Sequence, residues 1–240
     1  MDHRPIDALF LDFDGTILDT ETLEYQAWEE VYAFYGQELP LALWADSIGR
    51  GANDVKFDPY NHLRTLVGHP LDDAVAHTRR RARFLEMIEA APVRPGILEY
   101  LADAEQRNLP VAVVSSSNHD WVDGHLRRLG ILDAFAFTRC YGDVPLAKPH
   151  PDLYLSACET FGVPPTRTLA VEDSPNGLHA AKRARVFALA FPNPLTALLD
   201  LSHADLRVDD LAAFPVEHLL RHLHAAASAQ PPSPENPDLR

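Results

Sequence analysis

Cysteine and positive charge are both scarce in this sequence of 240 residues, and each shortage excludes a class of protein. The two cysteines, Cys140 and Cys158, are too few for a disulfide framework and too far apart for a short metal-binding pair. We expect them to be small buried apolar residues. Lysine and arginine number 21 against 35 aspartate and glutamate residues, which gives a net charge of −14 with histidine neutral. That balance argues against nucleic-acid binding, which needs a basic face.

Long hydrophobic runs are missing as well. No apolar stretch approaches the roughly 18–20 residues that cross a membrane. Residues 1–7 lack the basic start and the apolar middle of a signal peptide. Hydrophobic residues at 46% and charged residues at 23% are ordinary for a globular protein. The sequence therefore predicts a cytoplasmic protein with reduced thiols and no membrane association.

The sequence does contain short apolar runs separated by helical stretches. The runs cover 8–13, 110–114, 134–137, 168–171 and 186–190. The amphipathic segment 121–129, which lies between two of them, carries its apolar residues on one helical face. Strands that alternate with helices predict an α/β fold with a doubly wound parallel sheet and helices on both faces.

Residues 19–89 break this alternation and indicate successive helices. Two predicted apolar stripes face the interior, one of Leu23, Ala27, Val31 and Phe34 and one of Val75, Ala82, Leu85 and Ile88. We therefore expect a Rossmann-like core at 1–18 and 90–225, interrupted by an all-helical insertion at 19–89. Residues 226–240 are rich in Pro, Ser and Ala without periodicity, and they are expected to form a disordered tail.

Two carboxylates follow the first predicted strand. Asp12 ends an apolar run, where a carboxylate is costly to desolvate unless a cation or a hydrogen-bond donor meets it. Asp14 lies two residues further on, so both carboxylates point to the same side of an extended chain. The simpler alternative is an Asp-Gly turn in which Asp14 satisfies only the local backbone. The other strand ends bear on this choice.

Polar side chains also follow the other predicted strands. Residues 115–118 offer hydroxyl groups and a helix start, and simple N-capping is the favoured explanation for Ser116 and Ser117. Lys148 precedes a proline, which favours an extended conformation, and the acidic pair of Glu172 and Asp173 suits a hard cation. Because ligands bind outside the carboxyl ends of strands in a doubly wound sheet, these side chains are expected to converge. Together they match metal-assisted phosphoryl transfer.

Four segments resemble, in order, the four motifs of the haloacid dehalogenase (HAD) superfamily: 12–16, Ser115, 148–149 and 172–173. The residues that flank these motifs, at 19–21, 148–152 and 172–177, resemble the subgroup of phosphatases and β-phosphoglucomutases. The resemblance runs from about residue 9 to residue 192. It includes the helical insertion, which corresponds to that subgroup's small cap. It implies a HAD-type phosphoric monoester hydrolase that acts on a small phosphorylated metabolite.

The resemblance also implies a role for each matching residue. Asp12 would be the nucleophile that forms an aspartyl-phosphate, and Asp14 would be the general acid and base. The residues that would hold Mg²⁺ are Asp12, Asp14 through its main-chain carbonyl, Asp173 and, in support, Glu172. The residues that would hold the phosphoryl group are Ser115, Lys148 and Thr16, the last through its backbone or by orienting Asp14.

Substrate choice in this superfamily lies largely with the cap. Glu24 stands where β-phosphoglucomutases carry a histidine, which counts against a mutase without removing that alternative. Arg50, in a predicted cap loop, is a candidate for binding a second anionic group, although a plain surface arginine explains it equally well. Ser116 is a further candidate substrate contact. The third alternative is a non-catalytic module that binds a phosphorylated ligand or a protein partner.

Overall fold

The computed structural model describes residues 6–45, 57–68 and 71–229. In these ranges the strands are β1 (Ala8–Leu11), β2 (Val111–Val114), β3 (Thr138–Arg139), β4 (Thr168–Glu172), β5 (Phe187–Ala190) and β6 (Leu206–Arg207). They form one sheet in the order β3-β2-β1-β4-β5-β6, and every pairing is parallel. The predicted α/β fold with a parallel sheet is therefore confirmed.

The helices of the described residues separate into two groups. Those between β1 and β2 are α1 (Thr20–Phe34), α2 (Leu41–Ala45), α3 (Pro59–Val67), α4 (Asp73–Ala90) and α5 (Ile97–Gln106). Those after β2 are α6 (His119–Arg128), α7 (Asp152–Phe161), α8 (Pro175–Arg183) and α9 (Val216–Ala229). Among the described residues from α1 to α4 there is no strand, as the sequence predicts.

Alternate residues of each strand pack on opposite faces of the sheet. Leu9 and Leu11 of β1 belong to a cluster that includes residues of α5, α6 and α9. Phe10 belongs to a second cluster with residues of α7 and α8, where the neighbouring strands contribute mostly alanine. Because both faces are buried, each central strand is a continuous apolar run that ends abruptly at its polar carboxyl end.

The helices α1 to α4 carry a separate aromatic cluster around Trp28, Tyr32 and Trp44. Their predicted apolar stripes are wrong in part. On α4 the buried residues are Ala76, Phe84 and Ile88, whereas Val75, Ala82 and Leu85 are exposed. The four-residue spacing of the true stripe passes through Arg80, and this charged residue hides the pattern. Phe34 of α1 is 52% exposed, and the Arg79 guanidinium lies over its ring at 3.8 Å.

Two further boundaries differ from the prediction. The apolar run at 134–137 begins in a 3₁₀ turn, Leu132–Ala134, so that β3 starts at Thr138. No apolar run in the sequence marks β6, so this strand was not predicted. α9 continues through Ala229, so residues 226–229 are helical, in keeping with their alanine content; residues 230–240 lie outside the described part. No helix in the described ranges has the length and apolar character needed to cross a membrane.

Candidate active site

The strand order reverses at β1, which lies between β2 and β4. Leu11 pairs with both Val113 and Val171, so the carboxyl ends of these strands lie side by side. A crevice forms at this point in doubly wound sheets, and here it is a cavity of about 790 Å³. The residues predicted from the sequence that line it are Asp12, Asp14, Glu24, Ser115, Ser116, Lys148 and Asp173.

Lys148 joins two carboxylates at the base of this cavity. Its Nζ lies 2.5 Å from Oδ1 of Asp12 and 2.7 Å from Oε1 of Glu172, and it donates to the Val114 carbonyl at 2.7 Å. Burial alone would lower the pKa of Lys148, but these two carboxylates raise it above its usual range. Burial raises the pKa of Asp12, and the Lys148 ammonium group opposes that shift. The ammonium group therefore stays charged between its two partners.

Three carboxylates lie close enough together to hold a cation. Oxygen atoms of Asp12, Glu172 and Asp173 lie within 4.8 Å of one another, and all three residues are buried. Oε2 of Glu172 is buried without a hydrogen-bond partner among the described residues. Burial raises the pKa of Glu172 to about 7, although Lys148 opposes the rise. An unpartnered buried oxygen within a set of carboxylates fits a hard cation such as Mg²⁺.

Asn193 and two glycines shape the acidic site. Nδ2 of Asn193 donates to Oδ2 of Asp173 at 2.9 Å, and this asparagine follows β5 as Asp173 follows β4. A Cβ atom on Gly15, whose φ is +77°, would lie 2.0 Å from Oδ2 of Asp173. A Cβ atom on Gly177 would lie 1.8 Å from Oε2 of Glu172. Glycine is therefore required at both positions for the carboxylates to lie where they do.

Asp14 is held by two side chains that the sequence did not indicate as functional. Ser117 Oγ donates to Oδ2 at 2.6 Å, and the indole Nε1 of Trp121 donates to Oδ1 at 2.8 Å. Burial raises the pKa of Asp14, while both hydrogen bonds act in the opposite direction. In the sequence, Ser117 follows a strand end and is explained as a helix cap, and Trp121 is explained as an apolar position of an amphipathic helix.

The remaining predicted phosphate contacts differ in their surroundings. Ser115 is buried, and its Oγ accepts from the main-chain N–H of Ser117 at 3.0 Å. Ser116 is exposed in the same loop and faces the cavity. Thr16 is fully buried and does not appear among the described residues that line the cavity. Its hydroxyl group therefore faces the interior, and its proposed contact would involve the backbone.

The helices α1 and α4 close the far side of the cavity. Glu24 of α1 faces it and forms an ion pair with Arg80 of α4. Glu21 also lines it, and burial together with the Asp14 charge raises the pKa of Glu21 to about 7. Arg81 contributes a positive charge to the same wall. Arg50, the other predicted cap contact, lies outside the described residues.

Arg94 secures the backbone on which Asp12 and Asp14 stand. Its guanidinium donates to the carbonyl of Gly15, to Phe191 at 3.1 Å and to Pro192 at 2.7 Å. It also lies 3.7 Å from the centre of the Phe191 ring. The arginine follows the helical insertion in the chain, and no motif indicated this role. It links the loop after β1 to the loop after β5.

The sequence profile of haloacid dehalogenase-like hydrolases matches residues 6–185. The chain belongs to this family. The chain is similar to YhcW of Bacillus subtilis (strain 168), with 40% identity over 220 residues that cover 92% of this chain and 99% of that protein. Validoxylamine A 7'-phosphate phosphatase of Streptomyces hygroscopicus subsp. limoneus is 30% identical over 212 residues, covering 88% and 97%.

A solved structure of the same fold holds a phosphorylated ligand. It is a mutant of CbbY from Rhodobacter sphaeroides in complex with xylulose-(1,5)bisphosphate, with 29% sequence identity and a TM-score of 0.61. The similarity covers 86% of this chain and 95% of that one. The predicted membership of the haloacid dehalogenase superfamily is thus confirmed, and the phosphatase among the relatives agrees with the predicted subgroup.

Proposed function

We propose that this hydrolase is a Mg²⁺-dependent phosphatase that cleaves a small phosphorylated metabolite through an aspartyl-phosphate. One observation carries the proposal: the side chains of Asp12, Asp14, Lys148 and Asp173 meet in one cavity at the carboxyl ends of β1 and β4, with Glu172 beside them. Family membership and phosphatase relatives support hydrolysis over a non-catalytic binding module.

The chemistry assigned to the chain proceeds in two displacements. The Asp12 carboxylate attacks phosphorus, the bond from phosphorus to the leaving oxygen breaks, and that oxygen takes the Asp14 proton. A water molecule then attacks phosphorus and gives a proton to Asp14, and the bond between Asp12 and phosphorus breaks to release phosphate. Ser115, Lys148 and the backbone of Thr16 would hold the transferring oxygens.

Four residues would hold Mg²⁺, namely Asp12, Asp14 through its carbonyl, Glu172 and Asp173. When bound, the ion would supply positive charge beside the transferring phosphoryl group. Lys148 lies against the same carboxylates, so the anionic substrate would meet local positive charge although the protein is acidic overall. The two buried free cysteines, Cys140 and Cys158, support the proposed reducing, cytoplasmic setting.

The proposal favours a phosphatase over a phosphosugar mutase. Glu24 lies in the cavity as a carboxylate paired with Arg80, so this position offers no imidazole to a substrate hydroxyl group. Substrate contacts from Glu24, Ser116 and Arg50 belong to the same proposal. Scoring a panel of phosphate esters for inorganic phosphate and for isomeric esters separates the two reactions. Isomer formation without net phosphate release would contradict hydrolysis.

The direct test uses 4-nitrophenyl phosphate with Mg²⁺. Asp12→Asn removes the nucleophile, and we expect it to lower kcat by roughly 10⁴-fold or more. The matched control is Asp103→Asn, which makes the same chemical change in α5, where Asp103 pairs with Arg107 at 2.9 Å. It should keep wild-type turnover. Equal turnover by Asp12→Asn and wild type would refute Asp12 as the nucleophile. Equal turnover of the wild type with and without EDTA would refute the metal.

A further inference from the structure

Both oxygens of Asp14 are bound by donors that come from one short segment of the core. Ser117 Oγ contacts Oδ2 at 2.6 Å, and Nε1 of Trp121 contacts Oδ1 at 2.8 Å. The segment is itself fixed, because Asn118 caps α6 by accepting from the main-chain N–H of Trp121 at 2.9 Å. The carboxyl group of Asp14 therefore has a defined orientation before any substrate binds.

The two donors differ in what they permit. An indole N–H can only donate, so the oxygen that it contacts accepts, and the carbonyl oxygen of a neutral carboxyl group is the better acceptor of the two. A serine hydroxyl group both donates and accepts, so it can remain bonded to an oxygen that is protonated or ionised. Oδ1 is thereby reserved as an acceptor, and Oδ2 is the oxygen that can gain and lose a proton.

The indole ring is held from the cap as well as from the core. Phe84 of α4 lies nearly parallel to it, with an interplanar angle of 12° and ring centres 6.1 Å apart. His125 of α6 packs edge-on against the same indole ring, with an interplanar angle of 75° and ring centres 4.2 Å apart. Phe84 is 6% exposed and lines the same cavity as Asp14. The cap helix therefore contributes to the orientation of a ring that binds the acid.

We propose that Trp121 is the positioning residue of Asp14, holding Oδ1 as an acceptor so that Oδ2 carries the proton that moves. The inference rests on the proposed phosphatase activity and deepens it. In the first displacement the proton leaves Oδ2 for the leaving oxygen as the bond from that oxygen to phosphorus breaks. In the second, Oδ2 takes a proton from the attacking water. The Ser117 hydroxyl group stays hydrogen-bonded to Oδ2 in both the neutral and the ionised form of Asp14.

The dependence on the leaving group tests this role. Phenol has a pKa of about 10, as tyrosine does, and its oxygen needs a proton to leave. The more acidic 4-nitrophenol leaves readily as an anion, so its ester depends less on a general acid. The value of kcat/KM covers the steps up to departure of the first product, so water attack on the aspartyl-phosphate does not enter the comparison.

Trp121→Phe keeps an aromatic ring beside Phe84 and His125 but removes the N–H donor. We expect kcat/KM to fall at least about tenfold for phenyl phosphate and less than about threefold for 4-nitrophenyl phosphate, because general acid catalysis serves the poorer leaving group. The matched control is Trp44→Phe. Trp44 packs with Tyr25 and Trp28 and is not among the described residues that line the cavity. Its variant should leave the ratio of the two esters unchanged.

The outcomes separate this inference from the proposed function. Equal loss on both esters in Trp121→Phe, or the same change of ratio in Trp44→Phe, would overturn the positioning role while the phosphatase stands. A wild-type protein that hydrolyses neither ester would refute the phosphatase itself. Should circular dichroism show that Trp121→Phe does not fold, Trp121→Met provides the same comparison. It also removes the N–H donor to Oδ1 while a flexible apolar side chain fills the space beside Phe84 and His125, and an unchanged ratio there would overturn the proposal.

Discussion

The ammonium nitrogen of Lys148 lies 2.5 Å from Oδ1 of Asp12, with the two side chains only 5% and 9% exposed. The same nitrogen lies 2.7 Å from Glu172, which is fully buried. One cation thus offsets two buried carboxylates, and an unpaired buried charge costs several kcal/mol. The stability of this edge of the sheet therefore depends on positive charge at the site.

Lys148→Met should make the fold depend on Mg²⁺. Without the ammonium group we expect the free energy of unfolding to fall by about 3–5 kcal/mol in EDTA. A divalent cation held by Asp12, Glu172 and Asp173 should restore part of it, and Tm measured with and without Mg²⁺ gives the comparison. The control is Lys182→Met, because Lys182 pairs with Asp205 at the surface. The expected loss of unfolding free energy in this variant is about 0–1 kcal/mol. Equal losses in the two variants would contradict the argument.

Gly177→Ala should destabilise the protein through the acidic site. The added Cβ would lie 1.8 Å from Oε2 of Glu172, and crowding in a packed region costs about 1–3 kcal/mol. Gly124→Ala is the matched control, because a Cβ at that helix position would meet nothing within 4 Å apart from its chain neighbours and the backbone of its own helix. It should stabilise by up to about 1 kcal/mol through helix propensity. Urea unfolding of both variants measures the contrast, and a neutral Gly177→Ala would refute the close approach.

His119 should make stability depend on pH. Burial lowers its pKa, but the hydrogen bond and charge of Asp143, with help from Asp123, raise the pKa overall. Nε2 lies 3.1 Å from Oδ2 of Asp143 and Nδ1 lies 3.3 Å from Oδ2 of Asp123. Because the folded pKa is above the unfolded value of about 6.5, this stabilisation is complete below that pH. It is lost as the pH rises through the folded pKa.

His119→Asn should therefore cost more stability at pH 5.5 than at pH 8.5. The side chain is 43% exposed, so solvent screens the pair and the difference should stay below about 1 kcal/mol. Urea unfolding at both pH values measures it. Repeating the substitution in an Asp143→Asn background should reduce the pH dependence, since the main partner is gone. A greater cost at pH 8.5 would reverse the sign and refute the assignment.

Much of the fold and of the site was predictable from local patterns. Strands buried on both faces must be continuous apolar runs, so β1, β2, β4 and β5 stood out, and the polar residue that ends each run marked the same edge of the sheet. Asp12, Ser115 and Asp173 were predicted in this way, whereas Lys148 was predicted from the proline that follows it and from the resemblance to the family. β6 could not be found so, because a strand of two residues at an edge, Leu206–Arg207, leaves no apolar run.

Long-range side-chain pairing was not predictable. Arg80 stands between Arg79 and Arg81 in the sequence, a run that is typical of a solvated helix face. In the structure it occupies the inward stripe of α4 and pairs with Glu24, which is 56 residues away in the sequence. Trp121 looked like one more apolar position of an amphipathic helix. Its N–H meets Asp14, which lies 107 residues away in the chain.

The family, the parallel sheet and the order of the polar strand ends could all be inferred from the sequence, because each follows from residues close together in the chain. The donors that hold Asp14, the residues of α1 and α4 that face the cavity and the sharing of Lys148 between Asp12 and Glu172 became known only from the folded structure. Periodicity records which face of a helix or strand is buried. The angle and distance at which two such faces pack depend on the volumes of all the side chains between them.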